Sequence, residues 1–235
     1  MMPGGVVVDP AWLTGWAPIM VLAPHPDDES LGCGGLLAYA FRNHGARVVC
    51  MTDGSASHPN SQQWPPARLA EARRNEMRNA VAELGGSADD LNFLDHPDGW
   101  LGASDRDAVA EALVAECAAS HVRRVFVTSA EDHHEDHRAT ADIGARMSRL
   151  APDLQIFAYP VWSRWDDPDF DRRLPEKQAV FLPIGDARAA KLAAIEAHAS
   201  QRGRLVEDDP SGFAMTDDFV TAFVDNAEIF WKVAE

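Results

Sequence analysis

Short apolar runs that alternate with helical patterns constrain the fold of this chain more than any other feature. Five runs have the length and composition of buried strands, at 18–23, 46–52, 91–95, 123–129 and 154–162. Helical spacing predicts helices at 30–44, 67–84, 105–120, 185–201 and near 219–231, and one that starts within the polar cluster 131–137. Strands that alternate with helices form right-handed crossovers. The sequence therefore predicts an α/β fold, a Rossmann-like domain with a mostly parallel sheet and helices on both faces.

A single domain is expected to account for the whole chain, residues 1–235, with the motifs confined to a core of about 18–201. Apolar residues make up 46% and charged residues 25%, which is enough for a sizeable core. No internal repeat or linker divides the chain. Three stretches are predicted as loops, at 55–66, 97–104 and 162–183, and we expect them to determine substrate specificity.

Charge and cysteine content restrict the partners and the compartment. The net charge of −16 and the pI near 4.8 predict no binding of nucleic acid or of anionic membranes. Three widely spaced cysteines form neither a disulfide framework nor a thiolate zinc site. No basic leader and no run of roughly 20 apolar residues is present, so we expect a cytoplasmic protein without a membrane span. The oligomeric state stays open, and a homo-oligomer is compatible with the sequence.

Polar clusters follow four of the predicted strands, at the point where each strand ends. They are PHPDDE (24–29), TDG (52–54), HPDG (96–99) and EDHHEDH (131–137). In a parallel sheet the ligand site lies beyond the carboxyl ends of the strands. The sequence therefore predicts that one site gathers these four clusters.

Two of these clusters carry the residue types of a catalytic metal site. The first supplies an imidazole and a carboxylate, His25 and Asp28, and the second supplies His133, His134, Asp136 and His137. Two histidines and one carboxylate are a known ligand set for catalytic zinc, with a fourth position open to water. Asp27 would then be free to accept a proton from that water. The alternative is that the acidic residues at 27–29 only cap the following helix.

Two sequence blocks resemble the LmbE-like, or PIG-L, family of zinc-dependent N-deacetylases. They are APHPDDESLGCGG (23–35) and HEDHRAT (134–140). Weaker matches in the same order are TDG (52–54), Arg73 with Glu76, FLDHPDG (93–99), YPVW (159–162) and HASQ (198–201). Together these blocks span residues 23–201, nearly all of the chain.

The resemblance implies a complete metal site and its base. It implies that His25, Asp28 and His137 bind Zn²⁺ and that Asp27 is the general base. One departure is Glu135, where the family commonly has proline. That position is not a ligand, so the implied ligand set is unaffected.

The resemblance also implies roles for residues around the metal. His134 would stabilise the oxyanion or protonate the leaving amine, and Asp98 would orient His134 and raise its pKa. Arg73 would contact the substrate. The roles of His133, which could compete with His134, and of His198, which is either a site residue or a packing residue, stay open.

Several glycines and tryptophans need a separate interpretation. The run 32–35, Gly-Cys-Gly-Gly, lacks the spacing of a nucleotide-binding loop, and we expect it to permit close packing of the first helix on the sheet. Four tryptophans, 64, 100, 162 and 165, fall in predicted loops. Packing over the loops is the expected role of each, and stacking on a sugar ring is the alternative.

We therefore expect a zinc-dependent hydrolase that removes an N-acyl group, in the first instance N-acetyl, from an amino sugar or a similar small molecule. The alternatives are a zinc-dependent hydratase of the same fold and a metal-binding or ligand-binding protein without turnover. Retention of both Asp27 and His134 disfavours the second alternative.

Overall fold

The computed structural model of this protein describes residues 5–233. Its strands are β1 (Val6–Val7), β2 (Ile19–Ala23), β3 (Ala46–Thr52), β4 (Leu91–His96), β5 (Arg124–Thr128), β6 (Gln155–Tyr159), β7 (Val180–Leu182) and β8 (Glu228–Lys232). Its α-helices are α1 (Pro10–Thr14), α2 (Asp28–Asn43), α3 (Pro66–Glu83), α4 (Arg106–Ala119), α5 (Glu135–Leu150), α6 (Trp162–Asp166), α7 (Phe170–Arg173), α8 (Arg188–Ala197) and α9 (Asp217–Val224). Within this described part of the chain, no helix has both the length and the apolar character that a bilayer crossing requires.

All eight strands form one sheet, in the order β1-β7-β8-β6-β5-β2-β3-β4. Every pair is parallel except those of β8, which runs antiparallel between β6 and β7. The predicted α/β fold with a mostly parallel sheet is confirmed. Because β2 pairs with β3 on one side and β5 on the other, the segments that follow these three strands meet at one edge.

Helices cover both faces of the sheet, as predicted. Alternate residues of β2 point to opposite faces, so Val21 joins one apolar core while Met20 joins the other. The first core lies beneath α2, α3, α8 and α9, and the second beneath α4 and α5. Residues on β2 are completely buried, which explains why its sequence is an uninterrupted apolar run.

The glycines near the start of α2 permit close packing, as expected. A Cβ atom on Gly34 would lie 2.8 Å from Cγ of Lys191, and one on Gly35 would lie 2.5 Å from Cγ2 of Ile184. A Cβ atom on Gly32 would lie still closer to the ring of Tyr159. Any side chain at these positions would push α2 away from β6 and α8.

The structure corrects the prediction for the last third of the chain. The stretch 162–183 is not only a loop, since it contains α6, α7 and strand β7. The helix expected near 219–231 ends at Val224, and the remaining apolar residues form β8. Periodicity does not separate a short buried strand from a buried helix segment, and β8 is buried because strands pair with both of its edges. The two-residue strand β1 was not predicted.

Candidate metal centre and active site

A cavity of about 390 Å³ lies at the carboxyl ends of β2, β3, β4 and β5. Its walls include residues that follow each of these strands, namely His25, Ser57, Asp98 and His134. The prediction that one site gathers the polar clusters is confirmed for three of the four, at 24–29, 96–99 and 131–137. The fourth, TDG (52–54), does not line the cavity but contacts residues that do, since Asp53 accepts the backbone N–H of Asp98 and Gly54 accepts a hydrogen bond from Arg73. A larger groove of about 1510 Å³ lies along β1 and β8. Within residues 5–233, that groove holds no group of side chains at metal-binding spacing, so we place the chemistry in the smaller cavity.

Asp28 connects the two histidines of the expected ligand set. Its Oδ2 lies 3.3 Å from Nδ1 of His25 and 3.3 Å from Nε2 of His137. It also accepts the backbone N–H of His25 at 2.9 Å, which orients the carboxylate. Ligand atoms of His25, His134 and His137 lie within 4.8 Å of one another. Imidazoles and a carboxylate thus converge at one point, as a zinc site requires.

The surroundings of His137 leave one of its nitrogens available to a cation. Its Nδ1 lies 2.9 Å from Oδ2 of Asp132, so Nδ1 carries the proton of the neutral ring and donates it to that carboxylate. Its Nε2 is buried and makes no hydrogen bond among residues 5–233, although it faces Oδ2 of Asp28 at 3.3 Å. A histidine held by a carboxylate on one nitrogen and open on the other is the usual arrangement of a zinc ligand.

Electrostatics at the two histidines favour a bound cation. Burial lowers the pKa of His137, but the charges of Asp28 and Asp132 outweigh burial and raise it to about 9. Burial likewise lowers the pKa of His25, and hydrogen bonds to Asp136, Asp28 and Asp98 hold it well above its ordinary value. Metal ions compete with protons for such nitrogens, so a site that attracts protons this strongly also attracts a divalent cation. The residues present therefore fit zinc.

Asp98 contacts His25 and forms no hydrogen bond with His134. Its Oδ1 lies 3.1 Å from Nε2 of His25, and its Oδ2 accepts the backbone N–H of Ala56 at 2.9 Å. Atoms of His25, Asp98, His134 and Asp136 also form a group within 4.8 Å. The carboxylate of Asp136, however, already accepts the N–H groups of residues 99 and 101, so we prefer the set joined by Asp28, which is His25, Asp28 and His137, as the metal site.

His134 occupies the N-cap position of α5 and lines the cavity. Its Nδ1 accepts the backbone N–H of Asp136 at 3.2 Å, so in the neutral ring the proton is on Nε2. Burial and the nearby His25 and His137 lower its pKa to about 4. The expectation that Asp98 raises this pKa is therefore wrong. His134 is a neutral donor with a backbone-fixed orientation.

His133 lies at the rim of the same cavity. It is exposed, its Nδ1 is 3.4 Å from Oδ2 of Asp166, and its ring centroid is 5.1 Å from that of Trp162. Its contacts are thus with the aromatic rim, whereas His134 lies beside His25, with ring centroids 4.5 Å apart.

Asp27 occupies the N-cap position of α2 but does not cap the helix. Its side chain makes no capping hydrogen bond, and its backbone has φ 141°, a conformation that L residues rarely adopt. Such a conformation costs about 1–3 kcal/mol. Burial raises the pKa of Asp27 to about 7, against the opposing charge of Arg73. The capping alternative therefore does not apply to this carboxylate.

Arg73 supports the loop that carries Asp27. Its Nη2 donates to Oδ2 of Asp27 at 3.1 Å and to the carbonyl of Pro26 at 2.8 Å, and its Nη1 donates to the carbonyl of Gly54 at 2.7 Å. The side chain lines the cavity but is only 2% exposed. His198, whose role the sequence left open, is fully buried and contacts Glu29.

One wall of the cavity is apolar, and part of it was missed by the sequence analysis. It consists of Leu31, Val161, Trp162, Phe213 and Phe219. The three predicted loops all reach the cavity, through residues 56–57, 98–99 and 162. The segment that supplies the two phenylalanines contains no recognisable motif. The sequence analysis also gave no role to Asp132, although this residue stands inside the polar cluster 131–137. A metal-bound histidine usually needs a carboxylate partner, which was the available signal for Asp132.

Comparison with known proteins identifies the family of this chain. The model of the PIG-L family, described as GlcNAc-PI de-N-acetylase, matches residues 20–148, more than half of the chain. An uncharacterized deacetylase of Escherichia coli (strain K12) is 29% identical over 77% of this chain and 90% of its own length. The 1D-myo-inositol 2-acetamido-2-deoxy-alpha-D-glucopyranoside deacetylase of Mycobacteroides abscessus is 26% identical over 85% of this chain and 86% of its own.

Among solved structures, a triple mutant of a deacetylase from the teicoplanin biosynthetic pathway has the same fold. Its TM-score is 0.69 at 17% sequence identity, with 93% of this chain and 98% of that chain covered. The match of the family model over more than half of the chain shows that this chain belongs to the PIG-L family of de-N-acetylases.

Proposed function

We propose that this protein is a zinc-dependent N-deacetylase that hydrolyses the acetamide of a small amino-sugar-like molecule. One observation carries the proposal. Beside the converging His25, Asp28 and His137 stands a buried carboxylate, that of Asp27, which neither caps its helix nor belongs to the ligand set. A carboxylate that lies next to a metal site without being a ligand is what hydrolysis by activated water requires.

Zn²⁺ would be held by His25, Asp28 and His137, with Asp132 fixing the ring of His137 through its Nδ1. When bound, zinc supplies Lewis-acid chemistry, which lowers the pKa of water and polarises the acyl oxygen. With two imidazoles and one carboxylate as its protein ligands, zinc would keep a fourth position open for water.

The chain's own residues perform the proton transfers. Asp27 accepts the proton of the attacking water on its carboxylate, which Arg73 holds in place through Oδ2. His134 donates a hydrogen bond from Nε2 to the oxyanion that develops on the acyl group. The proton then reaches the amine nitrogen, and acetate and a primary amine leave.

The cavity suits a sugar-like substrate that is polar on one side and apolar on the other. Ser57, Asp98 and Gln201 line one part of it, and Trp162 and Phe213 line another. Sugar hydroxyls bind polar side chains while the apolar face of the ring packs on aromatic groups. The M. abscessus relative is named for an acetamido-deoxy-glucopyranoside, which has this character. Arg73 lies in the cavity wall, and we propose that it acts on the substrate mainly through Asp27.

We also propose a cytoplasmic location. Cys33, Cys50 and Cys117 are free and buried, as expected of a protein from a reducing compartment. Probing cell fractions with an antibody, next to markers of cytoplasm and cell envelope, would test this.

Zinc-loaded protein incubated with a panel of N-acetylated sugars tests the function. Equal amounts of acetate and of a new primary amine, formed only with metal present, would support a deacetylase. A gain of one water in mass without acetate release would instead indicate a hydratase. Stoichiometric zinc with no turnover on any amide would indicate a binding protein.

A further inference from the structure

The unusual backbone of Asp27 is held by the side chain that follows two residues later. The N–H of Asp27 donates to Oε2 of Glu29 at 3.1 Å, in a fully buried environment. Glu29 itself has no solvent exposure. A buried carboxylate that accepts a main-chain N–H fixes the direction of that peptide group, and here the peptide belongs to the proposed base.

Glu29 is in turn fixed by two side chains on its other oxygen. Oγ of Ser30 donates to Oε1 at 2.6 Å, and Nε2 of His198 lies 3.2 Å from the same atom. His198 comes from the C-cap position of α8, so the contact also ties this helix to the catalytic loop. Ser30 and His198 are both fully buried. The carboxylate of Glu29 therefore has one orientation available.

Asp27 stands at the N-cap of α2, but its side chain does not cap the helix in the ordinary way. An aspartate at an N-cap normally turns its side chain back to accept an N–H of the first helical turn. In a capping box, a glutamate of that turn also reaches back to the N-cap N–H. Here Glu29 does reach back to the N–H of Asp27, but the side chain of Asp27 accepts no N–H of the first helical turn. The carboxylate of Asp27 is left for Arg73 and the cavity.

We infer that Glu29, oriented by Ser30 and His198, is a positioning residue for the reaction: by accepting the N–H of Asp27 it keeps the carboxylate of Asp27 directed into the cavity. This inference rests on the proposed role of Asp27 as the base. Glu29 does not line the cavity and is not in a group of side chains at metal-binding spacing, so its effect would be on the rate of proton transfer and not on binding of metal or substrate.

A pair of substitutions separates the hydrogen bond from the charge. Glu29→Gln and Glu29→Met both remove the negative charge and nearly preserve length, but only glutamine can accept the N–H of Asp27. We expect Glu29→Gln to keep kcat within about threefold and Glu29→Met to lose about 10- to 100-fold, since small displacements of a catalytic group cost that much. Zinc content and KM should stay unchanged in both. Equal kcat values for the two variants would overturn the inference.

Glu228→Gln is the matched control, because it removes another buried carboxylate that accepts N–H groups of α2, from Glu228 on β8. Glu228 accepts the N–H groups of Gly35 and Leu36, about two turns from Asp27. We expect it to lower the melting temperature but to leave kcat unchanged. A loss of kcat as large as that of Glu29→Met would show that general damage to α2 is sufficient, and would contradict a positioning role.

Two further variants keep the test decisive. If Glu29→Met does not fold, Ser30→Ala is used in its place, because it removes a hydrogen bond to Glu29 and leaves the acceptor of the Asp27 N–H intact. A drop in the kcat of Ser30→Ala at constant KM would support the inference. An unchanged kcat would overturn it. Asp27→Asn is measured in parallel. Full activity of Asp27→Asn would refute the proposed base itself, whereas an inactive Asp27→Asn with equal Glu29 variants would refute only the positioning role.

Discussion

Two buried polar clusters contact helix α2, and they differ in how completely their atoms are paired. In the middle of the helix, Nζ of Lys191 donates to the carbonyl of Leu31 and to Oε1 of Glu228, both at 2.7 Å. The two oxygens of Glu228 also accept the N–H groups of Gly35 and Leu36, at 2.6 and 3.0 Å. Both side chains are completely buried.

The cluster at the N-terminal end of α2 is left incompletely paired. Among residues 5–233, four buried side-chain atoms have no hydrogen-bond partner: Nε of Arg73, Nε2 of His137, Nδ1 of His198 and Oε1 of Gln201. Three of these residues line the cavity, and the fourth lies behind Glu29. The rare backbone conformation of Asp27 is in the same place.

The difference separates a structural network from a functional one. Unpaired buried atoms reduce stability, so their accumulation in one place needs a reason. A ligand that supplies the missing partners is such a reason, and the unpaired Nε2 of His137 lies where the proposed zinc would bind. The Lys191–Glu228 pair has no need of a ligand, because its own partners and the backbone of α2 satisfy it.

Among substitutions in the two clusters, we expect Asp27→Asn to lower activity the most. Asparagine keeps the shape and the hydrogen bond from Arg73 to the side-chain oxygen but does not accept a proton at neutral pH. We expect kcat to fall by about 10² to 10⁴ while zinc content is retained. Steady-state kinetics and elemental analysis of the same preparation check this. Activity close to that of the unchanged protein would remove Asp27 from the mechanism.

His134→Ala is expected to have the next largest effect. It removes the neutral Nε2 donor beside the proposed metal site, so kcat should fall by about 10² to 10³. His133→Ala is the matched control, because His133 lies at the rim against Trp162 and should change kcat little. If the two variants exchange these outcomes, the catalytic histidine is His133 and its neighbour is only a helix cap.

Asp132→Asn should weaken the metal site without abolishing it. Asp132 holds Nδ1 of His137 and also accepts hydrogen bonds from Ser163 and from the backbone of Val161. Loss of the charged partner of a ligating histidine usually costs about 10- to 100-fold in metal affinity. Competition with a zinc chelator measures this, and excess zinc should restore most of the activity. Unchanged affinity would indicate that His137 is not a ligand.

The incompletely paired cluster at the N-terminal end of α2 was easier to predict from sequence than the cluster of Lys191 and Glu228. His25, Asp27, Asp28 and His137 stand in short motifs directly after apolar strands, and parallel strands bring such segments to one edge. Lys191 and Glu228 carry no local signal, because a lysine in a helical pattern and a glutamate at the start of an apolar run are normally exposed. Their pairing depends on the antiparallel strand β8, which was predicted as helix.

Contacts between distant segments also explain the limits of the site prediction. The sequence placed Asp98 near the metal but assigned it to His134, whereas its carboxylate meets His25 and the backbone of Ala56. The aromatic wall depends on how residues 213–219 fold over the cavity, which no motif records. Side-chain partners across such distances follow from packing and not from spacing along the chain.

Substitutions in the cluster of Lys191 and Glu228 are expected to have the smallest effect on activity and a large effect on stability. Glu228→Gln removes the charge that neutralises the buried Lys191 and should lower the free energy of unfolding by about 3–5 kcal/mol. The double variant Lys191→Met with Glu228→Gln leaves no unpaired charge, so it should recover part of that loss. Because neither residue touches the cavity, kcat per folded molecule should equal that of the unchanged protein in both variants. Denaturant titration followed by tryptophan fluorescence gives the stabilities, and kinetics well below the unfolding midpoint give kcat. If kcat fell in proportion to stability, α2 would transmit strain from its middle to Asp27, and the two clusters would have to be treated as one.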